Sequence, residues 1–377
     1  MQANVQRWGE RRRMRWFFFV RGLHLDVPLV VGLVALAIVG LVILYSASGQ
    51  DTAVVGRQLI RLGIAFGVMF VIAQIPPHHL ERWGPWIYAV GLGLLFAVLA
   101  VGEIGKGAQR WLDLGVVRFQ PSEMMKIAVP MMVAWYLGDR QLPPRTKHLL
   151  IATTLVLVPA GLIIKQPDLG TAILIASSGI FVLLFSGVSY GLVASVVVLI
   201  APLAWLFWQF GMHDYQRERV ITFLNPENDP LGTGYHIIQS KIAIGSGGAY
   251  GKGWLNGTQA HLEFLPERST DFIFAVFSEE FGLIGTVVLL ALYLFIVFRG
   301  IYIATQAQTT YTRLLAGSLI LVFFVYYFVN IGMVIGLLPV VGVPLPLISF
   351  GGTSMVTVMA GFGILMSIHT HRKLLPT

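Results

Sequence analysis

Apolar positions along this chain fall in long, nearly unbroken runs separated by short polar turns. Ten runs predict membrane-spanning helices over residues 27–45, 55–75, 86–101, 122–137, 148–164, 169–185, 190–210, 271–298, 311–338 and 349–368. Some fall short of the roughly 20 residues that cross a bilayer, so a neighbouring protein surface must absorb the mismatch. The expected fold is an all-α polytopic membrane protein of about ten transmembrane helices. A basic tail, 1–26, precedes one transmembrane domain, 27–377, and a large extracytoplasmic loop, about 211–270, joins spans seven and eight. Sixty residues without a long apolar run exceed a simple connector. Within this loop, 235–244 reads as a short amphipathic helix on the membrane, followed by a glycine-rich stretch at 245–257.

Composition agrees with that pattern. A chain of 377 residues would ordinarily hold two or three soluble domains, but this one is 56% hydrophobic and only 12% charged. Its net charge of +8 would suit nucleic acid, except that six arginines against Glu10 lie in the first 25 residues and Arg372 and Lys373 close the chain. Basic tails flanking membrane spans follow from the positive-inside rule, so nucleic acid is not an expected partner. The short segments on the terminal side hold 14 Lys and Arg against four opposite, which places both termini in the cytoplasm. No cysteine is present, which excludes disulfides and thiolate chemistry. Arg21, His24 and Asp26 interrupt the first apolar stretch, so no cleavable signal peptide is expected.

Ionisable groups at membrane depth are costly, and each is a functional candidate. Arg57 and Arg61 share a face of span two, Glu123 and Lys126 share a face at the start of span four, and Asp168 and Asp271 open spans six and eight. All lie at the outer ends of their spans. Asp271 has two readings: an N-cap or first-turn acid that satisfies free N–H groups and the helix dipole, or a general base at the mouth of a lipid-lined cleft. Glu123 and Lys126 read equally as a buried ion pair, and Arg57 and Arg61 as snorkelling anchors. Glu279 and Glu280 lie about 12 and 13.5 Å along the helix from Asp271, too far to share its reacting atom, and are expected to pack or pair. The proline-rich stretch 337–354 is apolar yet not helical, which is tolerated at membrane depth only inside protein or along a cavity. It ends in Ser349, Thr353 and Ser354, whose hydroxyls at a helix start suit an anion such as a diphosphate. The glycine-rich stretch fits neither nucleotide-loop spacing, and the histidine pairs lack metal partners.

Several separated segments resemble one family. They are Lys106-Gly107-Ala108-Gln109-Arg110-Trp111-Leu112-Asp113-Leu114, Phe119-Gln120-Pro121-Ser122-Glu123, Gln166-Pro167-Asp168-Leu169-Gly170-Thr171, Glu267-Arg268-Ser269-Thr270-Asp271-Phe272 and the run from Val343 to Ser354. In this order they look like the signatures of the SEDS proteins (shape, elongation, division and sporulation), and Ser46 to Asp51 and His369 to Lys373 look like the elongation branch. The resemblance implies a peptidoglycan glycosyltransferase of the inner membrane that polymerises lipid II on the periplasmic side. It further implies a class B penicillin-binding protein and other elongation-machinery membrane proteins as partners, and a divalent cation (Mg or Mn) whose site it does not give. The family's essential aspartate falls on Asp271, its site residues around span four on Trp111, Glu123 and Lys126, and its Pro-Asp aspartate on Asp168. Inverting transfer from a polyprenyl-diphosphate donor needs one carboxylate base and positive charge for the leaving group, which Arg57, Arg61, Arg110, Lys126 or a metal ion would supply. A flippase for the lipid-linked precursor is the alternative, and a noncatalytic scaffold a third.

Overall fold

The structure, a computed structural model, describes residues 23–105, 108–113, 118–212, 214–225, 233–258 and 267–372. Most of the basic tail (1–22), Lys106 and the loop stretches 226–232 and 259–266 lie outside the described residues.

The described residues are mainly helical. Helices α1 (Val27–Ala47), α2 (Thr52–Ala73) and α3 (Pro77–Val101) lead into three short strands, β1 (Glu103–Gly105), β2 (Ala108–Asp113) and β3 (Arg118–Phe119). Then come α4 (Pro121–Gly138), α5 (Thr146–Lys165), α6 (Leu169–Phe185) and α7 (Tyr190–Leu206), which ends in a π turn at Phe207–Gly211. Two loop helices, α8 (Asp214–Leu224) and α9 (Thr233–Gly247), precede α10 (Ile273–Thr305), α11 (Thr310–Val334) and α12 (Thr353–Thr370). Among the described residues seven helices are long and apolar enough to cross a membrane: α1, α2, α3, α5, α10, α11 and α12. Helix α6 is a shorter apolar helix, and α4 and α7 also fall where spans were predicted.

Local chemistry accounts for many of the helix starts. Asp26 accepts from Leu29 N at 3.0 Å and Asp51 from Ala53 N at 2.8 Å, while Thr309 and Thr312 form a reciprocal capping box at α11. Pro28 and Pro121 occupy first-turn positions where a missing N–H costs nothing. Asp26 has a second role at the far end of the bundle. Its carboxylate receives both Nε and Nη2 of Arg299, at 3.0 and 2.6 Å, and lies 3.2 Å from His369 Nε2. The start of α1 is thereby fastened to the ends of α10 and α12.

The structure corrects the sequence reading in four places. The connection between spans three and four is an antiparallel sheet in the order β1-β2-β3, so the fold is not purely helical. Strand pairing satisfies backbone groups in a connector too short for another helix. The last helix starts at Thr353 rather than Ser349, because the preceding segment is held as irregular backbone. Helix α9 confirms the amphipathic segment, but its buried side, Ile237, Ser240 and Ala243, packs on α10 and α11 rather than on lipid alone. Ser240 donates to Val334 O at 2.8 Å.

The fourth correction concerns span eight, which is not one continuous helix. Gly282 breaks α10 with φ 63° and ψ −162°. The chain turns so sharply that Thr286 Oγ1 lies 3.3 Å from Ser278 Oγ, eight residues away, where a straight helix would separate the two by about 12 Å. The glycine-rich stretch fills the break. Lys252 N and Gly253 N donate to the Glu279 and Glu280 carbonyls, both at 3.0 Å, while Leu283 N and Ile284 N donate to Gly248 O and Ala249 O at 2.9 and 3.1 Å. Two carbonyls and two N–H groups released by the bend are thus taken up. Glu279 and Glu280 pair as expected. Glu279 meets Lys252 Nζ at 2.7 Å and Thr258 Oγ1 at 3.0 Å, and Glu280 accepts from Ser46 Oγ.

Candidate active site

Asp271 lies two residues before α10, and the N-cap position belongs to Phe272, which makes no side-chain capping bond. Asp271 thus stands one residue ahead of the N-cap, in the turn that leads into the helix. The Asp271 carboxylate lies beside Gly342, in the proline-rich loop. That loop and α11 hold the backbone around it. Phe350 N donates to Ser269 O at 2.8 Å, Ser349 Oγ to Thr270 O at 2.6 Å, and Asn330 Nδ2 to Asp271 O at 2.9 Å. Ser349 also accepts from Leu345 N at 2.8 Å and is only 3% exposed, so its hydroxyl is occupied by protein rather than presented to a ligand.

Glu123 and Lys126 are brought together as the ion-pair reading expected. Lys126 Nζ lies 2.6 Å from Glu123 Oε1, and both side chains are nearly fully buried. The ammonium also sits 5.0 Å from the centre of the Tyr326 ring on α11, a cation–π arrangement. Glu123 Oε2 has no hydrogen-bond partner. Lys126→Met strands the Glu123 charge and is expected to cost about 3–5 kcal/mol, whereas adding Glu123→Gln recovers part of the loss. Thermal unfolding of both variants in detergent checks this.

Glu123 also lines a cavity of roughly 720 Å³ between α2, α3, α4 and α12. Its walls are aliphatic and aromatic, including Ile64, Trp83, Ile87 and Val356, and its polar groups include Arg61, Glu123 and Thr353. Arg61 stacks 4.3 Å over Phe350, the residue whose N–H grips Ser269. A contact path therefore runs from the cavity to the backbone of Asp271. Arg57 is exposed and does not join this group; Ser354 is half-buried beside Thr353. Gln58, buried between the two arginines, donates to Ser349 O at 3.2 Å and accepts from Gly351 N at 3.4 Å. The sequence reading passed over Gln58 and Asn330. Their signal was an amide inside an apolar run, where an unsatisfied polar group is costly.

Arg110 and Asp168 form a second group. Arg110 donates to Pro167 O at 2.8 Å and approaches Asp168 Oδ2 at 3.4 Å, and Asp168 caps α6 by accepting from Thr171 N at 3.2 Å. They line a smaller cavity with Val340 and Val341, next along the loop from Gly342. Trp111, half-buried on β2, follows Arg110. Among the described residues no three His, Asp or Glu side chains gather to enclose a metal ion.

Comparisons with known proteins place nearly the whole chain in one family. The family model FTSW_RODA_SPOVE, described as cell cycle protein, matches residues 26–374. The chain is 57% identical to the peptidoglycan glycosyltransferase MrdB of Escherichia coli K12, covering 94% of this chain and 95% of the relative. It is 31% identical to the peptidoglycan glycosyltransferase RodA of Treponema pallidum, over 94% of this chain and 99% of that one. Among solved structures it resembles a chain from a peptidoglycan synthase complex described as coordinating polymerization and crosslinking, with TM-score 0.81, 32% identity, and 93% and 98% of the two chains covered. The rod shape determining protein RodA of Thermus thermophilus matches with TM-score 0.70 and 27% identity, over 92% and 98%. The protein belongs to the FtsW, RodA and SpoVE family of cell cycle proteins, the SEDS family.

Proposed function

We propose that this protein is a peptidoglycan glycosyltransferase that polymerises lipid II for cell elongation. The observation that carries the reading is the apolar cavity ending on Arg61, Glu123 and Thr353, joined through Phe350 to the segment that bears Asp271. The identity to a peptidoglycan glycosyltransferase over nearly the whole chain supports it.

In this reading the polyprenyl tail of a lipid-linked sugar lies in the cavity and its diphosphate reaches Arg61 and the hydroxyl-bearing start of α12. Asp271 takes the proton from the acceptor 4-hydroxyl, whose oxygen attacks the donor's anomeric carbon. The new C–O bond forms as the bond to the diphosphate breaks, with inversion, and the lipid diphosphate leaves. Lys126, already committed to Glu123 and outside the cavity lining, holds Glu123 more than it binds phosphate. A divalent cation belongs to the proposal. It would supply positive charge to the leaving diphosphate, and Glu123 is the carboxylate in the cavity lining that would help to hold it. The charge census supports ten spans, two cytoplasmic termini and a site facing the periplasm. Membrane lipids surround the spans, and a class B penicillin-binding protein and further elongation-machinery proteins are the proposed partners. The likeness to a peptidoglycan synthase complex supports the former.

The test is glycan formation from purified lipid II in detergent, with and without the partner and divalent metal. Transport of the lipid without polymer would overturn the reading. The cavity has its own test. Ala360 lines it, so Ala360→Phe shortens the room for a tail and is expected to raise KM about tenfold while kcat stays near normal. Initial rates across lipid II concentrations separate the two constants.

A further inference from the structure

Three successive carbonyls, of Ser269, Thr270 and Asp271, are each captured by a donor from outside their own segment: Phe350 N, Ser349 Oγ and Asn330 Nδ2. These carbonyls precede α10. A connector needs such groups satisfied, but water or any nearby donor would do. Here two of the three donors are side chains with no freedom left. Asn330 is fully buried, and its amide nitrogen also donates to Val343 O at 2.7 Å, so both N–H groups are spent and the amide is locked across α11, the loop and Asp271. Ser349 donates to Thr270 O while accepting from Leu345 N, which fixes its hydroxyl in turn. On the far side of Asp271, the short helical arm 273–281 is anchored by the bend at Gly282. The backbone of Asp271 is therefore defined from both directions.

We propose that Asn330 and Ser349 are positioning residues for Asp271: they clamp its backbone so that the carboxylate keeps its place beside Gly342. This rests on Asp271 acting as the base. It moves Ser349 from binding substrate to holding the residue that reacts. A base displaced by about 1 Å loses on the order of 100-fold in rate, because reacting groups must be held near attack distance.

Asn330→Asp keeps the side-chain shape but turns an acceptor toward two carbonyl oxygens, and Ser349→Ala removes a single hydroxyl with little risk to folding. Ser349→Thr restores that hydroxyl. Each is made in the full chain, purified with its class B penicillin-binding protein. Lipid II polymerisation is followed across substrate concentration and pH, and backbone hydrogen exchange is followed over residues 269–275. The expected result for Asn330→Asp is a fall in kcat of about 10- to 100-fold with KM within about threefold, the mark of lost transition-state geometry. Ser349→Ala is expected to lose about 5- to 10-fold in kcat and Ser349→Thr to recover most of it, with faster exchange in the two loosened variants. A raised KM at normal kcat in Ser349→Ala would make Ser349 a substrate contact and overturn the proposal. So would normal kcat in both variants, or exchange that does not change. An Asp271→Asn arm distinguishes the two failures: turnover in that variant would sink the base itself, while the exchange data would still judge the clamp.

Discussion

Asp271→Ala is expected to abolish polymerisation of lipid II, by at least about 100-fold and up to 10,000-fold, the range over which a positioned base acts. The side chain follows a polar turn, stands one residue ahead of the N-cap of α10 and lies beside the glycine of an irregular loop. Asp271→Asn preserves size and hydrogen-bonding capacity but not basicity, and should lose the same activity while unfolding at the same temperature. Asp271→Glu keeps the carboxylate on a longer arm and should retain a small fraction of the rate. Rates from equal amounts of folded protein decide the matter. Normal polymerisation by Asp271→Ala would exclude the base role.

Gly282→Ala is expected to be strongly disruptive for a single added methyl group. With φ 63° and ψ −162°, Gly282 occupies a backbone region almost closed to other residues, which alone costs on the order of 1–3 kcal/mol. A Cβ there would also overlap the Gly251 amide nitrogen and the Ala249 and Tyr250 carbonyl carbons. Backbone cannot give way as a flexible side chain does. The glycine-rich turn would be expelled, the Glu279–Lys252 pair would be pulled apart, and the arm that starts beside Asp271 would lose its anchor. Lower yield, a clearly reduced unfolding temperature and lost polymerisation should appear together. Gly63→Ala is the matched control, because nothing lies within 4 Å of the added carbon and alanine favours a helix interior. Equal stability of the two variants would show that the bend tolerates a side chain.

Much of this was legible in the chain itself. Hydropathy is a local property, and a run of some twenty apolar residues must cross or enter a membrane wherever the rest of the chain goes. The apolar helices were therefore located, although α3 starts at Pro77 rather than 86 and α10 runs to Thr305 rather than 298, and so were the irregular proline-rich loop and the pairing of Glu123 with Lys126 one turn away. The family signatures singled out Asp271 for the same reason, since their spacing is written along the chain. Polar contacts between distant segments were not legible. Asn330 reaches Asp271 across 59 residues, Gln58 reaches Ser349 across 291, and Arg61, Glu123 and Thr353 share a cavity only because α2, α4 and α12 pack around it. The sequence alone determined where the long apolar segments lie and which charges interrupt them. Only the tertiary structure decided that span eight is broken at Gly282, that Ser349 serves the backbone, and that the loop grips Asp271, because buried donors and acceptors must be matched in space and that matching depends on how whole helices pack.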